Sequence, residues 1–181
     1  MLPGLRAEIE REFERLSLAV RQIRTLEALQ QHEVRSGAQP AIALLARLAG
    51  IGTGSAWTLV RELFGWRQFH NRREVAGCLG LAPTPYASGA SEVEQGISKI
   101  GNSPARWLMV ELAWSRLRFQ PTSQLSRWFN ERFGPTGKRV RRIGIVALAR
   151  RLAVALWRYL EFGEISVGAT LKSPVNKAVA T

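Results

Sequence analysis

Leu44-Leu45-Ala46-Arg47-Leu48-Ala49-Gly50-Ile51-Gly52-Thr53-Gly54-Ser55-Ala56-Trp57-Thr58-Leu59-Val60 sets a tight Gly-Ile-Gly turn between two short helical runs, with small Ala56 where those helices must cross closely. The pattern predicts a helix-hairpin-helix element. In such an element the glycine turn bares backbone N–H groups at a helix N-terminus, and these hold a DNA phosphate without reading the base. Gly50, Gly52, Gly54 and Ser55 are therefore candidate DNA-binding residues. The same glycines also fit an ordinary helical hairpin that only needs to turn, and with no Lys after them they do not form a P-loop.

On the N-terminal side, Ser36-Gly37-Ala38-Gln39-Pro40 closes a long Gly- and Pro-poor segment, because Gly serves as a C-cap and Pro cannot continue a helix. Within that segment Ile9, Phe13, Leu16, Val20 and Ile23 alternate four and three apart, the spacing of a coiled-coil seam. The expected organisation is a coiled-coil arm over 1–36, a linker over 37–40, a compact helical domain over 41–163 and a tail over 164–181. On the C-terminal side, helices are predicted for 41–48, 53–64 and 71–78, the last with Asn71 and Glu74 spaced as a capping box. Residues 80–101 change texture: Pro83 and Pro85 force extended backbone before them and several glycines permit turns, so a loop or short hairpin is expected. Helices resume from Ser103, read as the N-cap, to Phe119, then over 122–133 and about 138–161. The fold is expected to be mainly α. The small, polar composition after Gly163 predicts a loose tail.

The 181 residues carry a formal charge of +12, distributed unevenly. Residues 1–40 hold six Arg and six Glu, so the whole excess lies in 41–181, where 20 basic residues face 8 acids. The partner surface is expected there. All fourteen acids are Glu, the histidines are only His32 and His70, and Cys78 stands alone. This composition argues against a metal site, a self-contained two-metal nuclease and a disulfide framework. No stretch reaches the roughly 18 uncharged residues of a membrane span, and no signal peptide is apparent. A cytoplasmic, nucleoid-associated protein without a membrane partner is the expectation.

From Lys138 to Arg158 there are seven basic residues and no acid, set around Ile143, Val146, Leu148, Leu152, Leu156 and Leu160 as a core-forming series. One face is expected to pack and another to meet phosphates, with Lys138, Arg139, Arg141 and Arg142 as candidate DNA contacts. A solvated helix face is the plainer alternative. Trp beside Arg recurs at Arg106-Trp107, Arg127-Trp128 and Trp157-Arg158, a pattern that serves base stacking or, more simply, a tryptophan-rich core. In the 80–101 segment, prolines stiffen the approach to Ser88 and Gly89 removes bulk beside it. A phosphodiester could reach that hydroxyl, with Lys99 to stabilise the oxyanion. A serine in a glycine-rich loop is otherwise a turn-former.

Taken in order, Leu48-Ala49-Gly50-Ile51-Gly52, Arg61-Glu62-Leu63-Phe64-Gly65-Trp66-Arg67-Gln68-Phe69, Leu79-Gly80-Leu81-Ala82-Pro83-Thr84-Pro85-Tyr86-Ala87-Ser88-Gly89, Gln95-Gly96-Ile97-Ser98-Lys99-Ile100-Gly101-Asn102 and Arg141-Arg142-Ile143-Gly144-Ile145-Val146-Ala147-Leu148-Ala149-Arg150-Arg151-Leu152 resemble the C-terminal domain of the bacterial insertion-sequence transposases of the 110 group. The resemblance runs from Leu44 to about Lys172. It implies a catalytic serine at Ser88, strand exchange by transesterification, a coiled coil for assembly and a structured guide RNA. Mg²⁺ is implied only with an N-terminal RNase-H-like domain, which this sequence does not show, so no cofactor is expected in this chain and the chain alone is expected to be inactive. Two departures stand out: Glu92-Val93-Glu94 and Ser103-Pro104 occupy positions that are usually basic in the family. Two functions fit these residues. One is a DNA-binding, serine-bearing transposase domain with homo-oligomer contacts through residues 5–35. The other is a non-catalytic DNA-binding or interaction module that forms mixed assemblies with intact transposase.

Overall fold

The computed structural model describes residues 3–88 and 91–172. The chain divides into two compact units, Met1–Pro40 and Ala41–Thr181. The first is α1 (Pro3–Arg35), 33 residues long, whose Arg6–Glu10 and Glu12–Arg15 pairs lie one turn apart on its surface. Ile9, Phe13, Leu16 and Ile23 of the seam are all exposed. Surface ion pairs contribute little, so the helix keeps an apolar stripe with nothing of its own to cover it.

The second unit is helical: α2 (Pro40–Ala46), α3 (Thr53–Leu59), α4 (Arg72–Cys78), α5 (Ser103–Phe119), α6 (Gln124–Phe133) and α7 (Lys138–Phe162). One antiparallel hairpin interrupts them, β1 (Pro83–Ser88) with β2 (Ser91–Ile97). The mainly α expectation holds. α7 is the central element, with α4, α5 and α6 packed on it. Its buried side carries Ile145, Leu148, Leu152 and Leu156, which meet a core that includes Met109, Leu112 and Phe129. Gly144 lets Phe133 approach, because a side chain on Gly144 would start inside the Phe133 ring contact.

Several boundaries differ from the sequence reading, each for a local reason. α3 does not run on as one α-helix to Phe64: its last stretch, Val60–Phe64, widens into a π turn closed at Gly65. The N-cap of α5 is Asn102 rather than Ser103, because the Asn102 side chain accepts the Ala105 N–H at 2.8 Å. α6 starts at Gln124, where buried Ser123 caps it. The Asn71/Glu74 cap forms, with Asn71 Oδ1 accepting the N–H groups of Arg73 and Glu74, while Glu74 reaches back to the His70 N–H at 2.9 Å. That last bond holds the Glu74 carboxyl below its usual range.

Three packing expectations are overturned. Ile143 does not belong to the core series: it is 60% exposed, and the inward side of that turn is taken by Gly144 and Ile145. The tryptophan core reduces to Trp157, since Trp66, Trp107 and Trp114 are exposed and Trp57 and Trp128 half-buried. Finally, residues 164–172 are not loose. The chain between α2 and α3 has backbone groups without helical partners, and these must be satisfied. The Ala49 N–H donates to Thr170 O (2.9 Å), the Lys172 N–H to Arg47 O (2.7 Å), and Lys172 Nζ to Ala46 O (2.8 Å). Buried Gln120 ties both segments, donating from Nε2 to Ala49 O and accepting the Thr170 N–H at Oε1. The part of the tail over 173–181 lies outside the described residues.

Candidate nucleic-acid interface

Along the second unit runs an open groove of about 1840 Å³. A small-molecule cleft is roughly 300–1,000 Å³, so the size suits part of a macromolecule. α7 forms one wall with the face opposite its core side: Lys138, Arg139, Arg142, Ile143, Val146, Arg150, Arg151, Val154 and Arg158. α4 contributes Arg72 and Arg73, the segment after β2 contributes Lys99, α6 contributes Leu125 and Trp128, and the chain after α7 contributes Ile165 and Val167. Nine of the described lining residues are basic and one, Glu164, is acidic. Glu164 sits 3.6 Å from Arg158, leaving eight cations without an acidic counterpart in the lining.

Much of this charge sits where helix stability alone would not put it. A helix N-terminus carries partial positive charge and disfavours cations in its first turn. Yet α7 opens with Lys138, Arg139, Arg141 and Arg142 and no acid in its first turn, behind a Gly137 cap that offers no side-chain bond. α4 also opens with Arg72 and Arg73, here followed by Glu74 in the same turn. The placement is unfavourable for the isolated helices and favourable for an anion that spans both ends.

Other groups fix the walls. Arg151 Cζ lies 3.9 Å from the centroid of the Trp128 ring, and Trp128 meets Phe133 edge to face. Lys99 adopts φ of +56°, unusual outside glycine, and is held there at both ends. Its N–H donates to Gly80 O (3.2 Å), and its O accepts from Arg106 Nη1 (3.0 Å). Just beyond it, Asn102 donates to Cys78 O from its backbone and to Glu62 Oε2 (2.7 Å) from its side chain. Gly80 and Gly101, both at positive φ, pass so close to this crossing that a side chain on either would strike backbone. The Gly-Ile-Ser-Lys-Ile-Gly-Asn block is thus the fastening of the hairpin base to α4, α5 and the π turn.

The hairpin register separates the two residues expected to share a reacting centre. Ser88 pairs with Ser91 at the turn end, whereas Pro83 pairs with Ile97 at the base, two residues before Lys99. Five residues of strand at about 3.3 Å each put roughly 17 Å between those ends. Gly89, expected to relieve bulk beside Ser88, lies outside the described residues. Lys138, Arg139 and Arg142 line the groove; Arg141 does not. The glycine turn is a separate feature. Gly50, at φ +84°, is a backbone necessity: its carbonyl accepts from Ser115 Oγ (2.8 Å), and a side chain there would press on Ser115 and Phe119. Gly52 caps α3 without a side-chain bond, and the space beside Gly52 and Gly54 is open. Gly50, Gly52, Gly54 and Ser55 do not line the groove. The sequence reading missed Arg72 and Arg73 as groove residues, while Trp128, read as a stacking or core residue, lines the groove. The one signal in the sequence was the Arg-Arg pair directly after the Asn71 cap.

Residues 42–126 match a family model described as "Transposase IS116/IS110/IS902 family". Over 181 residues the chain is 40% identical to "Putative transposase y4rJ" of Sinorhizobium fredii (strain NBRC 101917 / NGR234), covering 94% of this chain and 46% of that protein. It is 31% identical over 116 residues to "Transposase for insertion sequence element IS1328" of Yersinia enterocolitica, covering 62% of this chain and 34% of that protein. It is 31% identical over 115 residues to "Transposase for insertion sequence element IS1111A" of Coxiella burnetii (strain RSA 493 / Nine Mile phase I), covering 62% of this chain and 31% of that protein. In each case the chain spans less than half the length of the relative.

Proposed function

We propose, from the match of residues 42–126 to the model of the transposase IS116/IS110/IS902 family, that the chain is a DNA-binding, serine-bearing domain acting in transposition by strand exchange. The observation that carries the reading is the groove in which nine of the described lining residues are cations and one is an acid. Phosphates neutralised there release counterions, so binding is driven by salt-sensitive electrostatics with little base preference. The open N-terminus of α3 at Gly52, Gly54 and Ser55 supports a second phosphate contact. Action on DNA places the protein at the nucleoid, and no helix of the described residues is long and apolar enough to cross a membrane. A structured guide RNA, implied by the resemblance, uses the same kind of cationic surface.

The chemistry falls to Ser88. Its Oγ attacks a phosphodiester phosphorus, a serine–phosphate ester forms, and the displaced sugar oxygen leaves as a hydroxyl with the proton that the serine loses. The reverse step, with a different strand's hydroxyl, joins DNA. A serine hydroxyl is a weak nucleophile until a base draws its proton away, and the register leaves Lys99 at the far end of the hairpin. Among the described residues no group of three His, Cys, Asp or Glu side chains stands together to hold a metal; the resemblance implies Mg²⁺ only with an RNase-H-like domain, and no step here is routed through it. On this reading the chain is inactive by itself and acts with an RNase-H-like domain. The test is a recombination assay with and without a separately expressed RNase-H-like domain, comparing the chain with Ser88→Ala and probing for a covalent protein–DNA adduct. Activity and adduct only in the complemented reaction, abolished by Ser88→Ala, are expected. Activity from the chain alone, or an undiminished Ser88→Ala, contradicts the reading.

A second reading has its own support. The exposed seam of α1 favours self-association, and equally mixed assembly with an intact transposase, which makes a non-catalytic interaction module the alternative.

A further inference from the structure

The groove is not cationic throughout. Ile143 is 60% exposed, Ile165 47% and Val167 63%, and all three line it together with half-buried Val146 and Val154. Exposed aliphatic side chains that line one groove with cations lacking an acidic counterpart among the described lining residues form a surface with two demands, apolar contact and negative charge. A nucleic-acid duplex meets only the second, because its outer surface is phosphate and sugar while its base faces are stacked inside. An unpaired strand meets both, since each nucleotide offers a flat apolar base face and one phosphate. The Arg151 guanidinium held against Trp128 adds a cationic plane of the kind on which unpaired bases stack.

Resting on the reading of this groove as the nucleic-acid interface, we infer that its ligand is an unpaired polynucleotide strand, with bases against the exposed aliphatic side chains Ile143, Ile165 and Val167 and phosphates against Arg139, Arg142 and Arg150. DNA and RNA strands share this chemistry.

The experiment is fluorescence anisotropy with the full chain and three labelled probes of equal length: an oligo-dT strand, an oligo-U strand and a mixed-sequence DNA duplex. At moderate salt the single strands are expected to bind at least about tenfold more tightly than the duplex, the range of a lost base-stacking contact. Tighter binding of dT or of U identifies the natural strand. Ile143→Asn, at an exposed position that the fold tolerates, is expected to weaken strand binding about tenfold while keeping the salt slope, because the cations remain. A thermal melt of Ile143→Asn confirms that it is folded. Duplex binding equal to or tighter than strand binding overturns the inference and leaves the DNA-binding reading standing. An unchanged affinity in folded Ile143→Asn also overturns it. Failure of all three probes to bind overturns both.

Discussion

At Gly144 the consequences of single atoms are largest. α7 closes on Phe133 only because no Cβ intervenes; an added methyl would fall within contact of three ring atoms at once. Gly144→Ala is expected to cost about 1–3 kcal/mol as an overpacked core substitution, seen as a lowered thermal midpoint. Arg116 makes the opposite case. It is 4% exposed, its Nε donates to Ser123 Oγ at 3.2 Å, and its Nη2 has no partner among the described residues. Burial pushes its guanidinium down to about 10. Because the folded state holds that proton less tightly than the unfolded chain, the cost is fully present below that value and eases only as the pH rises beyond it. Arg116→Met is therefore expected to leave the midpoint at neutral pH unchanged or to raise it by a few degrees, about 1 kcal/mol for this size. A fall of several degrees would show that the charge has a partner that the geometry does not reveal.

Among the elements, caps and breaks were the most legible in the sequence. Pro40, Gly134, Gly163 and the Asn71/Glu74 pair each mark a real helix end, because backbone donors and acceptors at helix ends must be met locally. The faces of α7 were less legible. Its apolar residues run nearly all round, so spacing alone could not say that Ile143 faces a groove and Ile145 the core; that depends on α4, α5 and α6 packing on one side. The strap over 164–172 was invisible for a similar reason. Its small residues carry no apolar pattern and are held by backbone bonds to a distant segment through Gln120. α1 offers the simplest element-level test. Deleting residues 1–36 is expected to yield a smaller assembly by light scattering, since the seam of Ile9, Phe13, Leu16, Val20 and Ile23 would otherwise pair with a second copy. An unchanged mass would exclude self-association through the arm. Gly52→Val tests the α3 terminus: its φ of −83° and open surroundings tolerate a side chain, so a normal melt with weakened DNA binding is the expected result, and a normal melt with unaltered binding removes Gly52 from the contact surface.

For the molecule as a whole, the excess of 20 basic residues over 8 acids in 41–181 located the charged unit but not its shape. The groove joins Arg72 and Arg73 to Arg150 and Arg158, far apart in sequence, and only the packing of α4 on α7 brings them to one surface. The placement of Ser88 at the tip of a hairpin whose base is locked by Gly80, Gly101 and Asn102 likewise emerged from strand register rather than from composition. If nucleic acid binds in this groove, its cations set the affinity, and a salt titration of binding checks this. Affinity for a labelled oligonucleotide is measured from low to high salt for the chain and for the Arg139→Glu/Arg142→Glu/Arg150→Glu variant, with both confirmed folded. Steep weakening is expected for the unaltered chain and, for the variant, weaker binding with a slope shallower by roughly 2–3, at about 0.7–0.9 per lost phosphate contact. No binding by the unaltered chain at the lowest salt, or the same affinity and slope for both proteins, would contradict it.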